Sequence, residues 1–205
     1  METTIHVRHS TPADLDGMAR AAGRAFGVDD DPAFTWLLGG TQAKRERQIA
    51  AFFKLMTKIG WSEEIGRAYT ADGTPGVAMW FAPGHWKQPA SKMLRAMPGL
   101  LRIVGPRSFV RAMRAFAVTE KLHPHEEHWY LQWLATDPSM QRKGVGSALL
   151  QPILERCDAE GMPAYLETQK FENVAFYQRH GFEVRQEVKL GKNGPRGWLM
   201  WRDPR

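Results

Sequence analysis

The sequence predicts an α/β fold, a mixed central β-sheet flanked by helices, and three observations carry that reading. The second half alternates regularly between β-rich and helical patterns, from HWYLQWLAT to RGWLMWR. The strand HWYLQWLAT runs through a proline turn into QRKGVGSALL, where two glycines precede an apolar helical pattern. Earlier, RAYTADGTPGVAMWFAPG places two β-rich runs around a turn, a hairpin signal. A strand, helix, strand order sets the middle pair of strands side by side and parallel, because the crossover helix returns the chain to the same edge, whereas the hairpin adds antiparallel neighbours. With 205 residues, 43% of them apolar, residues 1–205 are expected to share one core as one domain, and no repeat or linker divides them.

In chain order, IHVRHS reads as a first strand. TPADLDGMARAAGRAF follows as a helix, with Leu15, Met18, Ala19, Ala22 and Phe26 on one face. DDDPAFTWLLGG reads as a loop. KRERQIAAFFKLMTKIG is a second helix with Ile49, Phe52, Phe53 and Met56 on one side and Gly60 at its end. From Lys87 to Lys121 the chain carries eight Lys or Arg and one acid, Glu120, with helical spacing in SKMLRAM and SFVRAMRAFAV and expected breaks at Pro98 and Pro106. Its apolar stripe is expected on the core, with a lining role for a substrate pocket compatible with that placement. QRKGVGSALLQPILERCDAEG is a helix with a kink expected at Pro152, MPAYLETQ a strand, NVAFYQRHG a helix, and FEVRQEV and RGWLMWR two final strands.

Composition narrows the function classes. One cysteine, Cys157, cannot form an internal disulfide, and METTIHVRHS lacks the apolar segment of a secretory signal, so a cytoplasmic protein is expected. No apolar run approaches the roughly 18 to 20 residues that span a bilayer, so no membrane insertion is expected. Net charge +6 suits a polyanionic partner: nucleic acid, an anionic membrane surface or a phosphate-bearing cofactor. Nucleic acid is the weakest of these, because no aromatic and basic interleaving matches a binding module. HPHEEH offers His123, His125 and His128, but HxH without Cys or Asp partners is a weak metal signal, and no metal is expected.

A glycine turn between a strand and a helix presents free N–H groups at the positive end of the helix dipole, a geometry that suits an anion. Gly144 and Gly146 allow close backbone approach, Arg142 and Lys143 add positive charge, and Val145, Ala148, Leu149, Pro152 and Ile153 give the helix its packing face. Spacing excludes two other phosphate motifs: GxGxxG would need glycine at Leu149, and a P-loop would need a Gly-Lys-Ser/Thr triplet.

LATDPSMQRKGVGSALL resembles the acyl-CoA-binding motif of the GNAT acetyltransferase superfamily: a strand ending in a proline turn, then Arg or Gln, two residues, Gly, one residue, Gly or Ala. ENVAFYQRHGFEV resembles the family's later motif, an Asn, a helix with an aromatic–Tyr pair, then Gly-Phe opening a strand, and the two occur in family order at family spacing. Residues 124–201 are similar to the puromycin N-acetyltransferase branch, Pro152 included; the likeness loosens before His123, in the half that helps to shape the family's acceptor site. The resemblance implies a GNAT fold whose parallel middle strands splay apart, with acetyl-CoA as co-substrate. Leu134, Ala135 and Thr136 would pair with its pantetheine arm, and the N–H groups of Arg142, Lys143, Gly144, Val145, Gly146 and Ser147 would hold the pyrophosphate, with Gln141 at the motif's leading position. Asn173 and Phe176 would complete the cofactor site.

Amide formation needs a neutral amine, a stabilised oxyanion and a protonated leaving thiolate. The resemblance implies backbone N–H groups at a strand bulge near Leu134 and Ala135 for the oxyanion, and Tyr177 beside the CoA sulfur as the acid. Glu167, at the end of YLET, is the candidate base through water, with His123, His125 and His128 as alternatives. Cys157 falls on the apolar helix face and is expected to be a core thiol, which favours direct attack in a ternary complex. The expected acceptor is a primary amine of a small molecule, favoured by a pocket lined by Trp80, Trp86, Phe109 or Phe116, and the protein is expected to act as a monomer or homodimer. The alternatives are a protein or peptide amine in an open groove, and a non-catalytic acyl-CoA-binding module.

Overall fold

The computed structural model describes residues 5–60, 66–87, 89–191 and 193–205, and the side chains of 59 and 60 lie outside that description. One seven-stranded sheet runs through the molecule in the order β1 (Val7–His9), β2 (Gly66–Ala71), β3 (Gly76–Phe81), β4 (Trp129–Thr136), β5 (Ala164–Thr168), β7 (Arg196–Arg202), β6 (Glu183–Lys189). β4 and β5 are its one parallel pair, as the strand, helix, strand order requires, and the final strand inserts between β5 and β6.

Helices cover both faces. On one, α6 (Val145–Glu160) and α7 (Phe171–Arg179) pack Val145, Leu149, Ile153, Val174 and Tyr177 against Ala78, Trp80, Trp129 and Leu131. On the other, α1 (Leu15–Phe26) and α3 (Gln42–Gly60) pack Met18, Ala19, Ala22, Ile49 and Phe53 against Val77, Met79, Trp133 and Ala135. These are the apolar stripes the sequence shows, at helical spacing on the helices and alternating on β3.

Three elements depart from the sequence reading. DDDPAFTWLLGG is not all loop. Asp31 accepts from the Phe34 N–H at 2.7 Å and Pro32 occupies the first turn, which starts a seven-residue helix, α2 (Pro32–Leu38). Pro98 does not break its helix: α4 (Ala90–Val104) runs through it on an exposed stretch where water can take the orphaned carbonyl, and the chain breaks instead at Gly105, φ 79°, before α5 (Pro106–Leu122). The packing of α6 is likewise continuous through Pro152.

A bulge in β4 sets up everything near the sheet's centre. Met79 pairs with Trp133 but Trp80 pairs with Leu131, so Gln132 is an extra residue on β4. Alternation shifts by one there. Trp129 and Leu131 face α6, whereas Trp133 and Ala135 face α1 and α3. Trp133 then meets Phe26, Phe34, Phe52 and Phe53 at centroid separations of 5.3, 6.1, 5.9 and 5.4 Å. Each such pair contributes about 0.5–1.5 kcal/mol beyond burial, enough together to hold the bulge on that side.

Arg45 of α3 fastens the α1–α2 connection to this layer. Only 2% exposed, it donates through Nε to the Gly27 carbonyl at 3.0 Å and through Nη1 to the Gly40 carbonyl at 2.6 Å, and it pairs with Asp29. Replacing it with methionine keeps the length and removes the donors. Arg45→Met should lower unfolding stability by about 1–3 kcal/mol in urea titration, because the buried Gly27 carbonyl loses its partner; a loss below about 0.5 kcal/mol would show that water replaces it.

Candidate active site

The β4–β5 ladder is only three pairs long, Trp129 with Ala164, Tyr130 with Tyr165 and Leu131 with Leu166. Beyond Leu131 the two strands have no mutual register, and a slot opens between them. A cleft of about 550 Å³ adjoins the slot on the α6–α7 side, lined by Phe26, Asp31, Leu134, Thr136 and Tyr177 among others. A second space of about 180 Å³ shares Phe26, Asp31, Leu134, Asn173 and Tyr177 with it and adds Tyr130, Gln132 and Glu167. The two are one passage bent around the end of the ladder.

At one end of the larger cleft stands the glycine turn. Gly144 caps α6 with φ 84°, in the left-handed region. The first helical hydrogen bond runs from the Ala148 N–H to the Gly144 carbonyl at 2.9 Å, so the N–H groups of Val145, Gly146 and Ser147 precede it without a backbone acceptor among the described residues. A side chain at Gly146 would bring Cβ within 3.3 Å of the Phe176 ring, a tight contact that would make the ring give way by a few tenths of an ångström. Gln141 Nε2 donates to the Thr136 carbonyl at 3.1 Å and ties the turn to the strand. The turn itself is closed by Asp137, which accepts from the Ser139 N–H at 3.0 Å and pairs with Arg24 of α1 at 3.1 Å. Ser147 Oγ lies 3.0 Å from His180 Nε2.

Of the sequence-derived cofactor residues, Leu134, Thr136, Gln141, Arg142, Gly144, Gly146, Ser147, Asn173 and Phe176 all line this cleft, as does Tyr177. Three others do not line it. Ala135 faces α1 and α3 at 1% exposure, Val145 is buried in the α6 core, and Lys143 extends outward, its Nζ 3.8 Å from Met140 Sδ; Ala135 and Val145 can contribute backbone only. The bulge is also displaced from the expected position, at Gln132 and not at Leu134 and Ala135, which pair regularly with Ala78 and Val77.

Tyr177 is 7% exposed, its hydroxyl has no hydrogen-bond partner among the described residues, and burial raises its pKa above the ordinary phenol value. Glu167 is held oppositely, accepting from the Tyr165 hydroxyl at 3.0 Å and from the Tyr130 hydroxyl at 3.4 Å. His123 and His128 are buried beside it and His125 is exposed. The described residues contain no group of three or more His, Cys, Asp or Glu able to hold a metal, and no helix long and apolar enough to cross a membrane.

Several lining residues escaped the sequence reading. Asp31 at the start of α2 carries a pKa raised by burial, against the opposing pull of the Phe34 and Ala33 N–H groups. Its signal was the Asp-Pro pair, a helix start before a helix too short to show a period. Lys170 Nζ reaches Asp30 at 2.6 Å, joining the α1–α2 connection to the end of β5 across the cleft. Tyr130 and Gln132 line the inner space from β4. Trp80, expected as a pocket aromatic, is fully buried under α6, but Trp86, Phe109 and Phe116 do line two apolar spaces between the sheet and α3, α4 and α5, of about 500 and 280 Å³. Both reach Gln132. Arg111, on the basic stretch, donates to the Trp36 carbonyl at 2.6 Å and so fastens α5 to α2.

A mixed sheet whose parallel central strands part beside an amide-bearing helix start is the architecture of an acyl-CoA-dependent transferase. Residues 77–182, just over half of the chain, match the model of the acetyltransferase (GNAT) family, and the chain belongs to that family. An uncharacterised N-acetyltransferase of Schizosaccharomyces pombe is 28% identical over 194 residues, 85% of this chain and 74% of that one. Among solved structures, one from Corynebacterium glutamicum, described as histone acetyltransferase HPA2 and related acetyltransferase, matches with TM-score 0.72 and 24% identity over 99% of this chain and 98% of its own. Arylalkylamine N-acetyltransferase 2 of Aedes aegypti matches with TM-score 0.61 and 11% identity over 99% and 100%. A Thermoplasma acidophilum paiA N-acetyltransferase, solved with coenzyme A, matches with TM-score 0.52 and 12% identity over 98% of both chains. At these identities the solved structures establish the fold alone.

Cys157 faces the core at 0% exposure, and burial pushes its thiol up to about 12. Alkylation by iodoacetamide at pH 8 should therefore be at least about 100-fold slower in the native protein than after unfolding, as read by mass spectrometry. Comparable rates would mean that α6 leaves the sheet readily.

Proposed function

We propose that this acetyltransferase, working as one domain, moves the acetyl group of acetyl-CoA to a primary amine of a small-molecule acceptor by direct attack in a ternary complex. The observation that carries the reading is the bent passage through the sheet, with the glycine turn at one end, Tyr177 at the bend and Glu167 at the other end. The residues present fit the cofactor. Free N–H groups at Val145, Gly146 and Ser147 suit a diphosphate, and the edge of β4 beyond Leu131, unpaired with β5, offers amide partners to a pantetheine arm. Arg142 and Arg179 line the same cleft and supply positive charge, and Asn173 and Phe176 flank the arm.

Within the passage, Glu167 takes the proton of the acceptor ammonium, directly or through water, and frees the amine to attack the thioester carbonyl. Backbone N–H groups at the Gln132 bulge and the following residues of β4 stabilise the oxyanion, and Tyr177 donates to the departing thiolate. Neither Cys157, sealed in the core, nor any other thiol lies in the passage, which supports direct transfer over an acyl-enzyme. The apolar spaces beneath α4 and α5 favour a small acceptor; a protein or peptide amine would need an open groove along that face. A panel of amines, puromycin included because of the likeness across residues 124–201, should release CoA from acetyl-CoA. Turnover of peptide amines alone would move the reading to protein acetylation.

Gly146→Asp places a side chain and a negative charge at the helix start, so acetyl-CoA affinity measured by calorimetry should fall by about 10-fold or more in a folded variant. Wild-type affinity would remove the phosphate from this turn. Tyr177→Phe keeps the ring and removes the hydroxyl: acetyl-CoA affinity should stay within a few-fold while kcat falls by about 10² to 10⁴, and the deficit should shrink with a more acidic leaving thiol. An unchanged rate in a chemistry-limited assay would give the proton to water.

A further inference from the structure

Behind Glu167 lies a line of polar contacts that the transfer as described leaves unused. His123 Nδ1 stands 3.9 Å from Glu167 Oε1, His123 Nε2 is 3.1 Å from His128 Nε2, and His128 Nδ1 is 2.6 Å from the Glu126 carbonyl. Both imidazoles are buried, at 5% and 3% exposure. Proton positions along the line follow from its fixed end. A carbonyl oxygen only accepts, so His128 Nδ1 carries a hydrogen and neutral His128 offers the lone pair of Nε2. His123 Nε2 must then donate to it. The remaining basic nitrogen of the pair is His123 Nδ1, and it is the atom that faces Glu167.

The surroundings of that atom are mostly aromatic. His123 follows the last turn of α5, at the carbonyl end of the helix, and its ring stacks on Trp86 at 3.7 Å. The rings of Tyr130 and Tyr165 meet it edge-on at 4.9 Å. Charged neighbours are few: Glu167 from β5, the Lys87–Glu120 pair beyond Trp86, and Arg185 of β6, which pairs with Glu126 and lies over Trp201. His128 is not the resting place of a further proton, because burial lowers its pKa to about 4.

We propose that His123 is the proton acceptor behind Glu167, a relay and positioning residue that acts through the carboxylate. Acetyl transfer from a thioester to an ammonium yields an amide, a thiol and one released proton. That proton passes from the amine nitrogen to a Glu167 oxygen and, once Glu167 Oε1 and His123 Nδ1 close from 3.9 Å to hydrogen-bond distance, from the resulting carboxyl O–H to His123 Nδ1, which restores the carboxylate beside an imidazolium until the proton leaves to water through the passage. The chain of hydrogen bonds through His128 to the Glu126 carbonyl keeps Nδ1 free to receive it. The role rests on Glu167 as the base of the proposed reaction, whereas the proton positions do not.

Long-range ¹H–¹⁵N correlation spectra of the wild-type protein at pH 8 test those positions without any variant. Hydrogen on Nε2 of His123 and on Nδ1 of His128 is expected, and hydrogen on Nδ1 of His123 would overturn the relay. His123→Asn should lower kcat/KM by about 10²-fold at neutral pH, leave acetyl-CoA affinity unchanged and change the shape of the pH–kcat/KM profile. A variant that is slower or less stable but keeps the wild-type profile shape would show a packing role and overturn the proposal. Glu167→Gln separates the two readings: wild-type turnover removes Glu167 as the base and the relay with it, whereas loss of turnover in Glu167→Gln with full activity in His123→Asn removes the relay alone.

Discussion

The extra residue at Gln132 governs the centre of this molecule. Without it, the alternation that points Trp129 and Leu131 toward α6 would continue, and Trp133 would be driven into the layer already filled by Leu149, Ile153 and Tyr177. With it, Trp133 turns into the rings of four phenylalanines from α1, α2 and α3, and Leu134 turns back toward the cleft. The β4–β5 ladder ends one residue before the bulge. A bulge bends and twists the strand that carries it, so the change in direction and the loss of pairing have a common origin. One insertion therefore reverses the faces of β4, anchors the helical layer and leaves strand backbone available to a ligand.

Polar contacts then hold the rims of the opening in place. Arg24 clamps Asp137 at the end of β4, Arg45 gathers the α1–α2 connection, and Lys170 reaches Asp30 across the cleft. These contacts differ in weight. Asp30 is largely exposed and Lys170 half-buried, and a pair with one partner in solvent is worth about 1 kcal/mol or less, so that contact can yield to an entering cofactor. Arg45 is enclosed and satisfies backbone carbonyls, so its loop stays put. The contact across the cleft thus breaks at little cost while the α1–α2 connection beside it stays fixed.

How much of this the sequence shows depends on how local the signal is. The helix faces of α1, α3 and α6 were legible because each repeats over several turns, and the turn at Gly144 and Gly146 because glycine is favoured where φ is positive, as at Gly144, or where space is tight, as at Gly146. α2 was not, since seven residues show no period and its start rests on Asp31 and Pro32 alone. Pro98 misled because a proline in an exposed helix loses one hydrogen bond that water can replace. The bulge was expected from the family resemblance but two residues too late, because HWYLQWLAT alternates smoothly in sequence and only the register against β3 reveals the extra residue. The placement of Ala135 on the far face follows from that register and from no residue type.

The environments of the two proposed proton-handling groups differ in a way that constrains their chemistry. Glu167 has two phenols donating to it and an imidazole nearby. The Tyr177 hydroxyl has no partner among the described residues, and burial raises its pKa, so it is protonated at every working pH. An ordinary phenol at about 10 is already a weaker acid than a thiol near 8.5, an uphill transfer of about 2 kcal/mol. A thiolate expelled beside the buried phenol is made more basic by the same desolvation, which keeps that gap from widening. Tyr177 is therefore best placed to donate a hydrogen bond that strengthens as charge builds on sulfur, with full proton transfer completed as the thiolate leaves, and its lack of a protein partner leaves its hydroxyl proton free for that one acceptor.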